Sequence, residues 1–121
     1  MFKRAATVLF GLILGISASG ARAATPDPAF AKESGECAVI MLKLWEVTED
    51  AKQKQSYYSL SEIMVNAAVG AGASREQMMG FQTAVEDGIK SQGTAYLGQK
   101  IDTCKSFLDA NQQKLVLYSG G

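Results

Sequence analysis

The chain contains no histidine, and this absence excludes several kinds of chemistry. Without an imidazole there is no Ser-His-Asp or Cys-His catalysis, and no histidine ligand for zinc or haem. The chain has only two cysteines, far apart in the sequence, so the C-x-x-C motif of thiol redox enzymes is also absent. We therefore predict that the protein is not an enzyme and has no catalytic residues.

Carboxylates and methionines remain as candidate metal ligands. The carboxylates are explained by solvated helix surfaces, and the methionines by packing in the core. The acidic clusters fall on the polar sides of predicted helices, where solvated carboxylates are ordinary. Thioethers can bind Cu(I), yet Met41 and Met64 fall in apolar stripes, and the adjacent Met78 and Met79 point to different sides. We predict no metal and no cofactor. The acidic clusters are Glu46, Glu49 and Asp50, and the pair Glu86 and Asp87.

The first 23 residues have the pattern of a secretory signal peptide. Lys3 and Arg4 form a basic start, an uncharged apolar run covers residues 5–18, and small residues end at Ala23. A membrane anchor is the alternative, but a run of 14 residues is shorter than the roughly 20 that a bilayer requires. We predict cleavage after Ala23, with Gly20 as the next choice, and a periplasmic or secreted protein.

Cleavage would leave residues 24–121 as one domain with an acidic surface. The twelve acidic residues all remain, but three basic residues leave with the signal, so the net charge becomes −3. Nucleic-acid binding needs clustered Lys and Arg side chains that displace counterions. The charge therefore argues against nucleic acid and against attraction to anionic lipid, and we expect no stable membrane insertion after cleavage.

The two cysteines predict a disulfide between Cys37 and Cys104. A pair of cysteines in an exported chain most simply forms a structural bond, although free thiols or a redox pair are alternatives. The bond would close a loop of about 67 residues, for which chain-entropy estimates give roughly 4 kcal/mol of stabilisation.

The patterns along residues 24–121 are helical and include no convincing alternation typical of strands. Asp27 before Pro28 predicts a helix start, and the apolar spacing extends this first helix to about Lys54. Three further helices are predicted, and the tail at residues 115–118 could be helical or extended. They run from about Ser56 to the glycines after Val69, from the capping box at Ser74 to Gly93, and through Leu97 to Leu108.

Each cysteine falls on the apolar side of its own helix, so a bond between them requires the first and last helices to lie side by side. An up-down bundle satisfies this requirement. We predict an all-α fold, a small up-down bundle of three or four helices with one disulfide. An irregular array of three or four helices is the alternative.

The candidate binding residues are Trp45, Tyr57 and Tyr58, around the end of the first predicted helix and the start of the second. Adjacent tyrosines on a helix cannot both point inward, so at least one should be exposed. Large aromatic side chains supply much of the energy of protein interfaces. These residues therefore predict a patch for another exported protein, and the nearby carboxylates would favour a basic one.

In size, export signal and single cysteine pair, the chain resembles small exported helical proteins of Gram-negative bacteria, including acid-stress chaperones and toxin-neutralising immunity proteins. This resemblance implies a non-enzymatic module that binds another protein, as an inhibitor, immunity or accessory protein. A periplasmic acid-stress chaperone and a carrier of a small apolar ligand are the alternatives.

Overall fold

The computed structural model describes residues 25–120, and all the regular structure in that range is helical. The predicted all-α class is confirmed, but the described residues form five helices rather than three or four. The predicted signal peptide lies outside the described residues. The helices are α1 (Pro28–Val47), α2 (Ala51–Gly70), α3 (Arg75–Gln92), α4 (Thr94–Ala110) and α5 (Gln112–Ser119).

The boundary between α1 and α2 differs from the prediction that the first helix runs to about Lys54. Thr48 is extended, and its amide donates to the carbonyl of Leu44, which ends α1. Asp50 then caps α2, since its carboxylate accepts a hydrogen bond from the amide of Gln53 at 2.9 Å. Asp50 followed three residues later by Gln53 is a helix-start pattern that could have located this break.

The start and end of α3 follow the predicted signals. The Ser74 hydroxyl accepts from the amide of Gln77, and the Gln77 side chain accepts from the amide of Ser74, which completes a capping box. Gly93 has a φ of +67° and separates α3 from α4. This left-handed conformation is cheap for glycine, so the helix ends there.

The C-terminal tail, for which the sequence left two conformations open, is helical. Asn111 separates α4 from α5, and α5 packs against α2 with Leu115 buried. The approach is close, because a Cβ atom at Gly70 would collide with the backbone of Tyr118. A glycine at the end of α2 is therefore needed for α5 to dock.

Helix α1 is the centre of the molecule. It packs against α2, α3 and α4, while α3 packs against α4 and α5 packs against α2. The fully buried side chains Ile40, Met64 and Val85 come from α1, α2 and α3. Between α1 and α2, the buried Ser34 hydroxyl donates to the carbonyl of Met64 at 2.7 Å.

The predicted disulfide joins α1 to α4. Cys37 and Cys104 are bonded, with their Cα atoms 5.6 Å apart, and both side chains are buried. One turn before Cys104, the Lys100 ammonium donates to the Glu36 carboxylate at 2.7 Å. A covalent bond and a mostly buried ion pair therefore fix these two helices side by side.

The start of the described chain is held against α5. Phe30 stacks on Phe107 and on Tyr118, with ring centroids 5.4 and 5.2 Å apart. The Lys114 ammonium lies 2.8 Å from the Asp27 carboxylate, and the Tyr118 hydroxyl donates to a main-chain carbonyl of the N-terminal segment. These contacts join the two ends of the domain.

Candidate functional site

Trp45 of α1, which is half-buried, and Tyr58 of α2, which is exposed, form an aromatic pair at the surface. Their ring centroids lie 5.9 Å apart with the rings tilted by 48°, and the Tyr58 side chain is 40% exposed. The Lys54 ammonium lies over the Trp45 ring, 4.7 Å from its centroid. The negative π-electron density of an aromatic ring face attracts cations. In this structure Lys54 already occupies that position on Trp45.

A shallow groove continues from this pair along the seam between α1 and α2. Its volume is about 340 Å³, and Tyr58 connects it to Trp45. We call the groove together with Trp45 and Lys54 the aromatic surface. The residues that line the groove are Leu42, Tyr58, Ser61, Glu62, Val65 and Asn66.

Tyr57 does not belong to the aromatic surface. Its side chain is half-buried and packs against the hydrophobic core, whereas its neighbour Tyr58 is exposed. The structure therefore brings together two of the three aromatic residues singled out from the sequence and separates the third. The physical reason is the 100° turn between successive residues of a helix, which directs adjacent side chains to different sides.

Acidic side chains flank the residues of the aromatic surface in the sequence, and one of them lines the groove. Glu46 directly follows Trp45, Glu49 and Asp50 occupy the connection between α1 and α2, and Glu62 lines the groove. All four are exposed. On α1, Lys43 is directed elsewhere, since its ammonium lies 3.6 Å from Glu86 of α3.

A second concave surface lies where α2, α4 and α5 meet. It has a volume of about 490 Å³, and its exposed walls include Ile63 of α2 and Val116 of α5, which are 42% and 59% exposed. We call it the aliphatic groove. It is lined by Leu60, Ile63, Leu108, Gln112, Leu115, Val116 and Ser119.

Sequence reasoning missed the aliphatic groove for a definable reason. Its walls come from three helices, and one wall is α5, whose conformation the sequence did not decide. The available signal was the apolar run 115–118, which has more apolar residues than a short helix can bury on one side. Leu115 is buried, whereas Val116 and Leu117 remain 59% and 61% exposed.

Several of the residues that were weighed as metal ligands have structural roles instead. Met41 and Met64 are buried in the core, Met78 packs against it, and Met79 is 60% exposed on the other side of α3. Asp50 is used as a helix cap. Among residues 25–120, no group of three or more cysteine, aspartate or glutamate side chains has an arrangement that could hold a metal ion.

Two further observations do not concern a particular site. No helix in the described range is both long and apolar enough to cross a bilayer. In comparisons with known proteins, no family model matches the chain, and neither a curated protein nor a solved structure is similar to it.

Proposed function

We propose that this protein is an exported, non-enzymatic module that binds another protein through the aromatic surface. The observation that carries the proposal is the Trp45–Tyr58 pair, in which Tyr58 is exposed and the half-buried Trp45 ring is covered by the ammonium of Lys54. Tryptophan and tyrosine are enriched among the residues that dominate binding energy, because they bury much area at small entropic cost. An aromatic pair whose tyrosine remains exposed favours an interface over a purely structural role.

The partner that fits this surface carries basic side chains next to apolar ones. An arginine or lysine of the partner can take the position of Lys54 over the Trp45 ring. The carboxylate of Glu62 borders the groove, and Glu46 follows Trp45 in α1, so both favour positive charge. Apolar side chains of the partner would then pack between Leu42 and Val65.

A peptide titration tests this proposal, because Trp45 is the only tryptophan in the chain. A peptide of alternating arginine and leucine should change the Trp45 fluorescence in a saturable way, whereas the same peptide with glutamate for arginine should not. Tyr58→Ala should raise the Kd about thirtyfold, which corresponds to about 2 kcal/mol. Circular dichroism should find the variant folded.

Tyr57→Ala and Met79→Ala are the controls. Tyr57 packs against the core, so its truncation should lower the melting temperature and leave the Kd unchanged. Met79 is exposed on α3 and should affect neither quantity. If Tyr58→Ala binds the arginine peptide as tightly as the wild type does, the aromatic surface is not the interface.

Removing Lys54 should tighten peptide binding, because it frees the face of Trp45. Lys52→Ala is the matched control, since Lys52 is an exposed lysine of the same helix and its loss changes the net charge equally. We expect Lys54→Ala to lower the Kd more than Lys52→Ala does. Equal effects would mean that charge alone attracts the peptide and that the ring face has no part in binding.

An acid-activated chaperone is the second candidate, and the ion pair that holds α5 to the N-terminal segment favours it. Protonation of Asp27 would remove the partner of Lys114, which lies 2.8 Å away. This pair is only one of the contacts that hold α5, which also packs against α2 and stacks Tyr118 on Phe30. Release of α5 at low pH would expose the core side chains Leu115 and Phe107. This function predicts that a hydrophobic dye binds near pH 3 and not at neutral pH, whereas a dedicated partner-binding module has no such transition.

A further inference from the structure

The aliphatic groove differs in chemistry from the aromatic surface, although α2 contributes to both. Five of the seven lining side chains are aliphatic, the other two are the neutral Gln112 and Ser119, and none is aromatic or ionisable. Leucine, valine and serine are under-represented among the anchors of protein interfaces. The composition therefore favours a small molecule over a second protein.

The volume of the groove and the length of its α5 wall also fit a small molecule. Its volume of about 490 Å³ lies within the range of about 300 to 1,000 Å³ that is usual for ligand sites. Gln112, Val116 and Ser119 follow one another along one side of α5, a distance of about 10 Å at 1.5 Å per residue. The polar side chains of Gln112 and Ser119 thus lie at the two ends of an apolar wall that runs along the axis of α5.

We propose that the aliphatic groove binds a free single-chain amphiphile with an uncharged head, such as a medium-chain alkyl alcohol. The alkyl chain would lie between α2 and α5 over Leu108 and Leu115. A hydroxyl at one end of the chain would exchange hydrogen bonds with Gln112 or Ser119. A charged head has no counter-charge among the lining residues, so it would lose hydration without gaining an ion pair.

This inference is independent of the aromatic surface, because the two surfaces share no lining residue. If the arginine peptide fails to bind, the groove can still bind an alcohol, and the converse also holds. The two proposals therefore fail separately.

The test is a titration of the isotopically labelled, exported protein with 1-decanol, followed by amide chemical shifts. Saturable shifts should be confined to the amides of α5 and the neighbouring parts of α2 and α4. Decanoate, which has the same chain length with a carboxylate head, should bind at least tenfold more weakly. Vesicles of neutral phosphatidylcholine should not sediment the protein, because the proposed ligand is a free molecule and not a membrane.

Val116→Glu and Leu117→Glu form a matched pair of variants. The two residues are adjacent on α5 and similarly exposed, but only Val116 lines the groove. Val116→Glu should raise the Kd for decanol at least tenfold, and Leu117→Glu should leave it within twofold of the wild-type value. Both variants should keep the wild-type circular dichroism spectrum, since both side chains already face solvent.

Three results would overturn the proposal. One is the absence of saturable shifts at the solubility limit of decanol, and another is an equal Kd in the two glutamate variants. The third is a concentration-dependent dimer, measured by sedimentation, that Val116→Glu abolishes while Leu117→Glu does not. In that case a second copy of the chain covers the groove instead of a small molecule.

Discussion

Single residues decide how the ends of this domain are joined. Asp27 has two functions, since its Oδ1 accepts the amide of Phe30 at the start of α1 and its Oδ2 accepts from Lys114 of α5. The hydrogen bond from Lys114, with a smaller contribution from the Phe30 amide, lowers the pKa of the Asp27 carboxyl. The same hydrogen bond raises the pKa of Lys114. One carboxylate therefore links a helix cap to the docking of another helix.

These pKa shifts predict how the stability depends on pH. The pKa of Asp27 is lower in the folded state than in the unfolded state. The stabilisation of the fold by Asp27 is therefore present above the unfolded pKa of about 3.9, and it is lost as the pH falls through the folded pKa. The pKa of Lys114 is raised in the folded state. The stabilisation of the fold by Lys114 is therefore complete below the unfolded pKa of about 10.4, and it is lost as the pH rises through the folded pKa. Lys114 is exposed and Asp27 is only half-buried, so solvent screens the pair and the effects are small.

Asp27→Asn separates the two functions of Asp27, because asparagine can still cap α1 but carries no charge. Its melting temperature should lie below that of the wild type at neutral pH, and the difference should vanish as the pH falls toward about 2. Asp102→Asn, which removes an exposed carboxylate of α4, should show no such convergence. A difference for Asp27→Asn that stays constant from neutral to acid pH would contradict the role of the ion pair.

At the scale of the helices, the sequence predicted those with strong local signals. The capping box at Ser74 and the stop at Gly93 bounded α3, and the apolar spacing of α4 placed Cys104 inward. The break before Asp50 was missed, because residues 48–50 include neither glycine nor proline and continue the polar side of α1. The conformation of α5 could not be predicted locally, since eight residues form a stable helix only by packing against something else.

Helix α2 explains why the candidate surfaces were only partly predictable. Its residue Met64 lies in the core, Tyr58 belongs to the aromatic surface, and Ile63 lines the aliphatic groove. Apolar residues on three sides do not form one stripe, so periodicity identifies the helix without assigning its sides. The exposure of Tyr58 followed from its being adjacent to Tyr57, but its pairing with Trp45 depends on how α1 and α2 cross.

The docking of α5 predicts opposite effects for two glycine substitutions. Gly70→Ala should lower the free energy of unfolding by about 1 to 3 kcal/mol, because the new methyl group collides with the backbone of Tyr118. Gly98 lies inside α4, and a methyl group added there would meet no other group within 4 Å, so Gly98→Ala should raise it by about 0.5 to 1 kcal/mol. Urea unfolding measures both changes, and a stabilising Gly70→Ala would mean that α5 does not pack there.

At the scale of the whole molecule, α1 holds together two pairs of helices. Helices α2 and α5 pack together, helices α3 and α4 pack together, and α1 contacts α2, α3 and α4. The bond between Cys37 and Cys104 fastens α1 to α4 and closes a separation of 67 residues. The cysteine positions alone predicted this contact between α1 and α4. Of the contacts predicted from the sequence, it joins the residues that are farthest apart along the chain.

The disulfide and the predicted export can be tested on one preparation. Protein recovered from the periplasm of an expression host should begin at Ala24 by intact mass, and its thiols should resist labelling after denaturation without reductant. Replacing both cysteines with alanine should lower the free energy of unfolding by about 4 kcal/mol, less any strain that the bond imposes on the folded state, because the unfolded chain regains the entropy of the closed loop. This loss is large beside the roughly 5 to 15 kcal/mol that stabilises a typical domain.

The alanine variant separates the effect of the bond from that of the surrounding contacts. The Glu36–Lys100 ion pair and the packing of α1 on α4 remain available, so the variant should fold to the same helical spectrum and unfold at lower urea. Glu36→Gln combined with Lys100→Met, made in the bonded protein, removes the ion pair without leaving a lone, mostly buried charge. This double variant should cost less than loss of the disulfide, because the bond still holds the helices together. Full thiol labelling of the exported protein would mean that the bond does not form. An unchanged urea midpoint in the alanine variant would mean that helix packing alone determines the arrangement of α1 and α4.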